Sequence, residues 1–245
     1  MLQQLVSFVA LASVAFGAAL PDATGQTNPL ASTAPLPTGS NIPVSITPHP
    51  YYSSSVGVLG CKIDTNHVAY WPSPVDCGES MCLKLSTLDG AREVYVLRVD
   101  KSEPYGDKPP AHDVSYNAWN YLYKGVLATE TPYAGGGIDV TYSTIPMTDP
   151  NCQALLLNPD KKLPVSAGTG GNYVEQCLAQ PGSWVSTNIG LWNIKTQACT
   201  IGYDEPCSLD AKNPQCNHTV DTGPAITNLP VWNVDFPSGK LVLAA

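Results

Sequence analysis

Two aspartates, Asp100 and Asp113, have the surroundings expected of a paired-carboxylate site. Asp100 ends residues 94–100 (VYVLRVD), an alternating run that is typical of a half-buried β-strand. Asp113 precedes Ser115, a good N-cap for a short helix that stops at Gly125. A carboxylate at a strand end and one before a helix can face a common groove. Glycoside cleavage uses such a pair, one carboxyl as acid and the other as base or nucleophile.

Each of these residues also has a structural interpretation. Asp113 is placed where a helix dipole stabilises a carboxylate, and Asp100 is placed where a strand end meets solvent. His112 is expected to orient a loop more than to transfer a proton. The sequence therefore leaves both a functional and a structural role open for the two aspartates.

The segments on either side of this pair carry further motifs. Residues 77–85 read CGESMCLKL, with two cysteines opening a strand, and residues 135–142 read GGGIDVTY, followed by Ile145-Pro146 and Cys152. Together with His112-Asp113-Val114-Ser115 and Ala118, these motifs resemble, in order and approximate spacing, the double-psi β-barrels of expansins, barwin-like proteins, kiwellins and rare lipoprotein A-like lytic transglycosylases.

The resemblance implies a mainly β fold. Residues 56–152 are expected to form a six-stranded double-psi β-barrel with one short helix at residues 116–123, followed by a disulfide-rich C-terminal extension, residues 153–245. Asp113 matches the acid of barrel-type endoglucanases and the retained aspartate of expansins. Asp100 resembles the aspartate of the lytic transglycosylases, although Val99 replaces the asparagine that precedes it there.

One departure from the family pattern bears on activity. The endoglucanases place a base aspartate directly after a Tyr-Trp pair near the first strand, whereas this chain reads Tyr70-Trp71-Pro72. Expansins also lack that base, and they loosen polysaccharide without hydrolysing it. The resemblance therefore favours binding or loosening over catalysis.

Aromatic and histidine side chains near these motifs are candidates for contact with a sugar. An aromatic ring can either stack on a sugar or fill the barrel core, and the sequence leaves both roles open. The candidates are Tyr70, Trp71, His112, Tyr116 and Trp119.

The chain ends differ in composition from the middle. Residues 1–19 look like a secretory signal peptide, since the apolar run is shorter than a membrane span and ends in small residues, although no Lys or Arg precedes it. Residues 20–55 are rich in Pro, Ser and Thr and are expected to be a disordered linker. In the extension, residues 231–236 and 240–244 predict a hairpin, and Asn217-His218-Thr219 is a glycosylation sequon. This organisation is typical of secreted fungal proteins.

The chain has eight cysteines, and in an exported protein these are expected to form disulfides. Eight cysteines allow 105 pairings, among which the sequence cannot choose. We expect a Cys61–Cys152 bond, because the first and last strands of a closed barrel are neighbours, and a Cys77–Cys82 bond. A zinc site at Cys207, Cys216 and His218 is a weak alternative, because paired C-x-x-C spacing is absent. The eight are Cys61, Cys77, Cys82, Cys152, Cys177, Cys199, Cys207 and Cys216.

Charge and composition narrow the class of partner. The net charge of −8, with Lys and Arg scattered along the chain, disfavours nucleic acid and anionic membranes. Only 13% of residues are charged, while the chain has twelve Tyr and five Trp. This composition suits a surface that binds neutral sugars, and it is equally common in exported disulfide proteins that bind none. No cofactor or metal motif is recognised, and a monomer is expected.

Three functions remain open. The first is a secreted protein that binds or loosens cell-wall polysaccharide, as expansins do. The second is an effector, elicitor or inhibitor that acts on an extracellular protein, as kiwellin-like barrels suggest. The third is a wall-active glycosidase or lytic transglycosylase using Asp113 with Asp100.

Overall fold

The computed structural model describes residues 36–104 and 106–245. The expected signal peptide and the first part of the expected linker lie outside these residues. Six strands close into a barrel in the order β1-β5-β2-β4-β3-β6, so the expected closed, six-stranded, mainly β fold is confirmed. They are β1 (Ile42–His49), β2 (Val68–Trp71), β3 (Cys82–Thr87), β4 (Glu93–Lys101), β5 (His112–Ser115) and β6 (Ile138–Ile145).

The barrel begins earlier than residue 56. The assignment of residues 20–55 to a disordered linker is wrong for Ile42–His49, because β1 pairs in parallel with β5 and antiparallel with β6. Ile42, Val44 and Ile46 supply an apolar residue at every second position, and Ile46 is fully buried. That alternation is enough for a strand that buries one face, although two prolines interrupt it.

All six strands contribute to the barrel interior. The expected helix is present as α1 (Tyr116–Lys124), which ends at a left-handed Gly125 and adds Trp119 and Leu122 to this interior. Ser115 holds the N-cap position, but its Oγ donates to the Asn66 carbonyl instead of capping the helix. The strand residues of this cluster are Ile46, Ala69, Trp71, Leu83, Leu85, Val94, Val96, Val114, Val140 and Tyr142.

The C-terminal extension packs on the outer face of the barrel. A cluster that joins Tyr70, Leu97 and Val99 of the barrel to Val165 and Leu191 of the extension shows where the two meet. Its elements are α2 (Pro150–Ala154), β7 (Leu163–Ser166), α3 (Gly171–Leu178), α4 (Trp184–Thr187), β8 (Ile189–Ile194), β9 (Gly202–Cys207), β10 (Trp232–Val234) and β11 (Leu241–Leu243). Strands β7, β8 and β9 form one sheet, and β10 and β11 form the expected hairpin.

All eight cysteines are paired, as expected, but the two proposed bonds are wrong. Cys82 bonds Cys152, because β3 lies beside β6 and α2 follows β6 directly. The other three bonds are Cys61–Cys199, Cys77–Cys177 and Cys207–Cys216. Two of the four therefore join the barrel segment to the extension, and sequence proximity did not reveal them. No helix among the described residues is long and apolar enough to cross a membrane.

Candidate functional site

Four side chains form a row across neighbouring strands on the outer face of the barrel. Thr47 of β1 pairs with Asp113 of β5, Asp113 pairs with Tyr70 of β2, and Tyr70 pairs with Asp100 of β4. Paired residues on adjacent strands share a face, and a register shift between Ala69 and Tyr70 brings Asp100 into the row. Two strand spacings, about 10 Å, therefore separate the Cα atoms of the two aspartates.

Asp113 is a partly buried carboxyl with one close donor. The Thr47 hydroxyl donates to Asp113 Oδ1. Burial raises the pKa of Asp113, while the bond from Thr47 and the nearby His49 oppose that rise. A raised pKa extends the protonated form to higher pH, so this carboxyl is suited to donating a hydrogen bond or a proton.

Asp100 is held by donors on both of its oxygens. The Ser53 hydroxyl donates to Oδ2 at 2.5 Å, and the Lys101 backbone N–H donates to Oδ1 at 2.8 Å. The neighbouring Ser54 hydroxyl donates to the Val99 carbonyl at 2.8 Å and so ties residues 53–54 to β4. Asp100 is thus held in a fixed orientation, and each of its oxygens can accept a further hydrogen bond.

His49 and Tyr70 lie close to both aspartates. Their rings are 4.2 Å apart between centroids. Burial lowers the pKa of His49, an effect that the charges of Asp113 and Asp100 oppose. Burial raises the pKa of Tyr70, and a hydrogen bond with the Ser53 backbone opposes this, while both aspartates add to it. Both carboxyls act on the same two rings, which agrees with their placement on one face.

A small cavity beside these rings is bordered by exposed aromatic side chains. Its volume is about 10 Å³, close to the size that admits one water molecule. His49 and Tyr70 line it together with Tyr51 and Trp232, whose side chains are 54% and 46% exposed. The backbone N–H of Tyr52 donates to Asn233 Oδ1 at 2.8 Å, which fixes the two aromatic segments relative to each other.

The aromatic candidates for sugar contact are buried. Tyr70, Trp71, Tyr116 and Trp119 are at most 3% exposed, so of the two roles that the sequence left open for these rings the structure shows the core role, and their ring faces are not available for stacking on a sugar. Trp71 points into the barrel, where His112 meets its ring edge-on at 4.8 Å. Burial and the nearby Arg98 lower the pKa of the half-buried His112.

The base aspartate that barrel-type endoglucanases carry near the first strand was sought after Tyr70 and Trp71. These two residues lie on β2, and the first strand of the barrel is β1. The first-strand residues nearest Asp113 are Thr47 and His49, and β1 contains no acidic residue. The nearby second carboxyl is Asp100 of β4. Thr47 and His49 were not predicted as site residues because they fall in the Pro-rich stretch, where the alternation of Ile42, Val44 and Ile46 was the available signal of a strand.

Two remaining candidates lie in the extension. The zinc arrangement is wrong, because Cys207 and Cys216 are bonded to each other and His218 stacks on Tyr203 at 3.8 Å and contacts Glu205. Asn217 is exposed in an irregular segment, so the sequon is accessible.

The comparisons of this sequence with protein-family models and with curated proteins find no match. The site is therefore interpreted from its own geometry.

Proposed function

We propose that this protein is secreted and binds neutral cell-wall polysaccharide without hydrolysing it, as expansins do. The observation that carries the proposal is the pair of half-exposed rings, Tyr51 and Trp232, at the edge of the cavity lined by His49 and Tyr70. An exposed aromatic ring offers an apolar face to a sugar, and convergent polar groups fix its orientation. Four disulfides favour an oxidising, extracellular location.

The carboxyls support binding more than hydrolysis. Hydrolysis by paired carboxyls needs the second carboxyl to reach water or the sugar as a base or nucleophile. Hydrogen bonds from the Ser53 hydroxyl and the Lys101 backbone N–H hold Asp100 in place on the barrel, which suits a fixed acceptor for a ligand hydroxyl. Burial raises the pKa of Asp113, so its protonated form, which can donate a hydrogen bond to a sugar oxygen, persists to higher pH than that of an exposed aspartate. Such a bond competes with contacts between polysaccharide chains and would loosen them.

A pull-down on insoluble cellulose, chitin and peptidoglycan tests the proposal. We expect one of these to retain the protein, and Tyr51→Ala and Trp232→Ala each to weaken retention about 3–10-fold, the loss of one ring contact. Tyr133→Ala is the matched control, since Tyr133 is 36% exposed and lies outside the cavity lining. Absence of retention on all three polymers, or equal retention by all variants, would contradict the proposal and favour a protein partner.

The raised pKa of Asp113 also favours a second candidate, in which Asp113 is the general acid of a glycosidase or lytic transglycosylase. Incubating the protein with the same polymers and measuring reducing ends and anhydro-sugars separates the two. Release that disappears in Asp113→Asn would establish the enzyme. Retention without release is the result expected of the binding protein.

A further inference from the structure

We propose a second binding site, for an uncharged, hydroxylated ligand the size of one sugar ring, in a groove bordered by β4, α1 and α2. The groove has a volume of about 370 Å³, within the range of small-molecule sites. Its lining shares no residue with the cavity at His49. We call it the Tyr95–Tyr121 groove, after the two tyrosines that line it with His67, Glu93, Asn117 and Asn151.

The charged groups at this groove are already paired within the protein. Glu93 accepts from Lys84 Nζ at 2.9 Å, and His67 Nδ1 lies 2.7 Å from Asp64 Oδ2. An ionic ligand would have to compete with these contacts. An uncharged ligand does not compete with these ion pairs, and it can form hydrogen bonds with the polar groups that remain.

The His67 ring is held in an orientation suited to a hydroxyl group. His67 Nδ1 lies 2.7 Å from Asp64 Oδ2, which leaves Nε2 as the remaining hydrogen-bonding position of the ring. Asp64 is itself fixed by the Asn66 backbone N–H at 3.0 Å. A ligand hydroxyl, which can donate or accept, therefore meets a preset partner at Nε2, and this reduces the entropy lost on binding.

The wall formed by α1 is equally fixed. Asn117 Nδ2 donates to Asn66 Oδ1 at 2.8 Å, and Asn117 Oδ1 accepts from the Thr129 N–H at 3.2 Å. These bonds join the start of α1 to the turn that carries His67 and to the loop after α1. The groove is thus formed before any ligand arrives.

The half-buried Tyr95 and Tyr121 provide the apolar contact. Tyr95 stands on β4 and Tyr121 on α1, so two separate elements present rings to the same groove. A pyranose has C–H faces that pack on aromatic rings and hydroxyls at its rim. This combination of two rings, paired charges and one open hydrogen-bonding position on His67 fits such a ligand.

Saturation-transfer NMR with methyl β-glucopyranoside and methyl N-acetyl-β-glucosaminide tests the site, with glucose 6-phosphate as the charged comparator. We expect at least one glycoside to bind and the phosphate to bind more weakly. Tyr121→Ala should weaken binding about 5–10-fold, the loss of one aromatic contact, and His67→Ala should weaken it as well. Tyr123→Ala is the matched control, because Tyr123 is on α1 and outside the groove lining.

Each outcome decides the proposal. Tyr95→Leu serves as the second groove variant if Tyr121→Ala does not fold, which a thermal melt shows. The groove variants are also measured in Tyr51→Ala protein, where the proposed polysaccharide face is weakened. Glycoside binding that survives both groove variants there, tighter binding of the phosphate, or no binding of either glycoside overturns the inference. Tyr51→Ala should leave glycoside binding intact even though it weakens retention on polymer, so this site and the proposed polysaccharide face can fail separately.

Discussion

The barrel and the C-terminal extension are held together by different means. In the barrel, each of six strands is paired on both sides, and their inward side chains fill one interior. The extension has one three-stranded sheet and one hairpin, and much of its apolar surface packs on the outside of the barrel. Two disulfides, Cys61–Cys199 and Cys77–Cys177, reinforce that contact.

This difference indicates that the extension depends on the barrel to bury its apolar side chains, more than the barrel depends on the extension. A closed barrel satisfies its own backbone hydrogen bonds and has no free edge. The extension needs the outer face of β2 and β4 to bury Val165 and Leu191. The polysaccharide face proposed above uses both regions, because Tyr51 precedes the barrel's second strand while Trp232 belongs to the extension. In that proposal the extension completes a binding surface that the barrel begins.

The largest expected difference between two matched variants is that between a tryptophan from each region. Trp71 is fully buried in the barrel, so Trp71→Ala should lower the free energy of unfolding by about 3–5 kcal/mol, through lost burial and the cavity left behind. Trp232 is 46% exposed, so Trp232→Ala should change it by less than about 0.5 kcal/mol. Urea titration measures both. A Trp232 variant as unstable as the Trp71 variant would show that the hairpin belongs to the core.

The next effect compares two disulfides. Replacing Cys77 and Cys177 together with alanine opens a loop of 100 residues, for which chain entropy gives about 4–5 kcal/mol. The same change at Cys207 and Cys216 opens a loop of 9 residues and should cost about 2–3 kcal/mol. Urea titration gives the two free energies. Hydrogen exchange should show faster exchange in α3 than in β3 for the first variant, and uniform exchange would contradict a dependent extension.

The smallest expected effects are changes in melting temperature at pH 7 when one carboxyl in each region, Asp113 in the barrel and Glu205 in the extension, is replaced by its amide. The two changes are expected to have opposite signs. Asp113 has a raised pKa, so its ionised form is disfavoured in the folded barrel. This loss of folding stability is absent below pH 3.8, the ordinary pKa of an aspartate, where Asp113 is protonated in both the folded and the unfolded chain. The loss appears as the pH rises above that value. Asp113→Asn should therefore leave the melting temperature unchanged at pH 3 and equal or slightly raised at pH 7. A marked loss at pH 7 would show that the bond with Thr47 outweighs burial.

Glu205 in the extension behaves in the opposite way. Hydrogen bonds from Asn193 and from the His218 backbone and ring lower its pKa to about 2, more than burial raises it. Its stabilising effect is present above pH 4.5 and is lost as the pH falls towards about 2. Glu205→Gln should lower the melting temperature at pH 7, and the difference from wild type should vanish near pH 2. A difference that persists at pH 2 would indicate a steric cause.

The sequence determined the elements whose signals are local. The alternation in residues 94–100 predicted β4, and the position of Ser115 with Gly125 predicted α1 to within one residue at its end. Turn residues between two short runs predicted the β10–β11 hairpin. These signals are sufficient because strand alternation and helix ends depend on residues close together in the chain.

Only the tertiary structure decided the site and the cross-links. Thr47 and Asp113 are 66 residues apart, and Cys61 and Cys199 are 138 apart, so nothing local indicates that they meet. In β2 all four residues are buried, and no polar face distinguishes the inward Trp71 from the outward Tyr70. Both the distant contacts and the inward or outward direction of the β2 side chains are decided when the barrel closes. The strand order then determines which residues lie in one row across the strands and which outer face the extension covers.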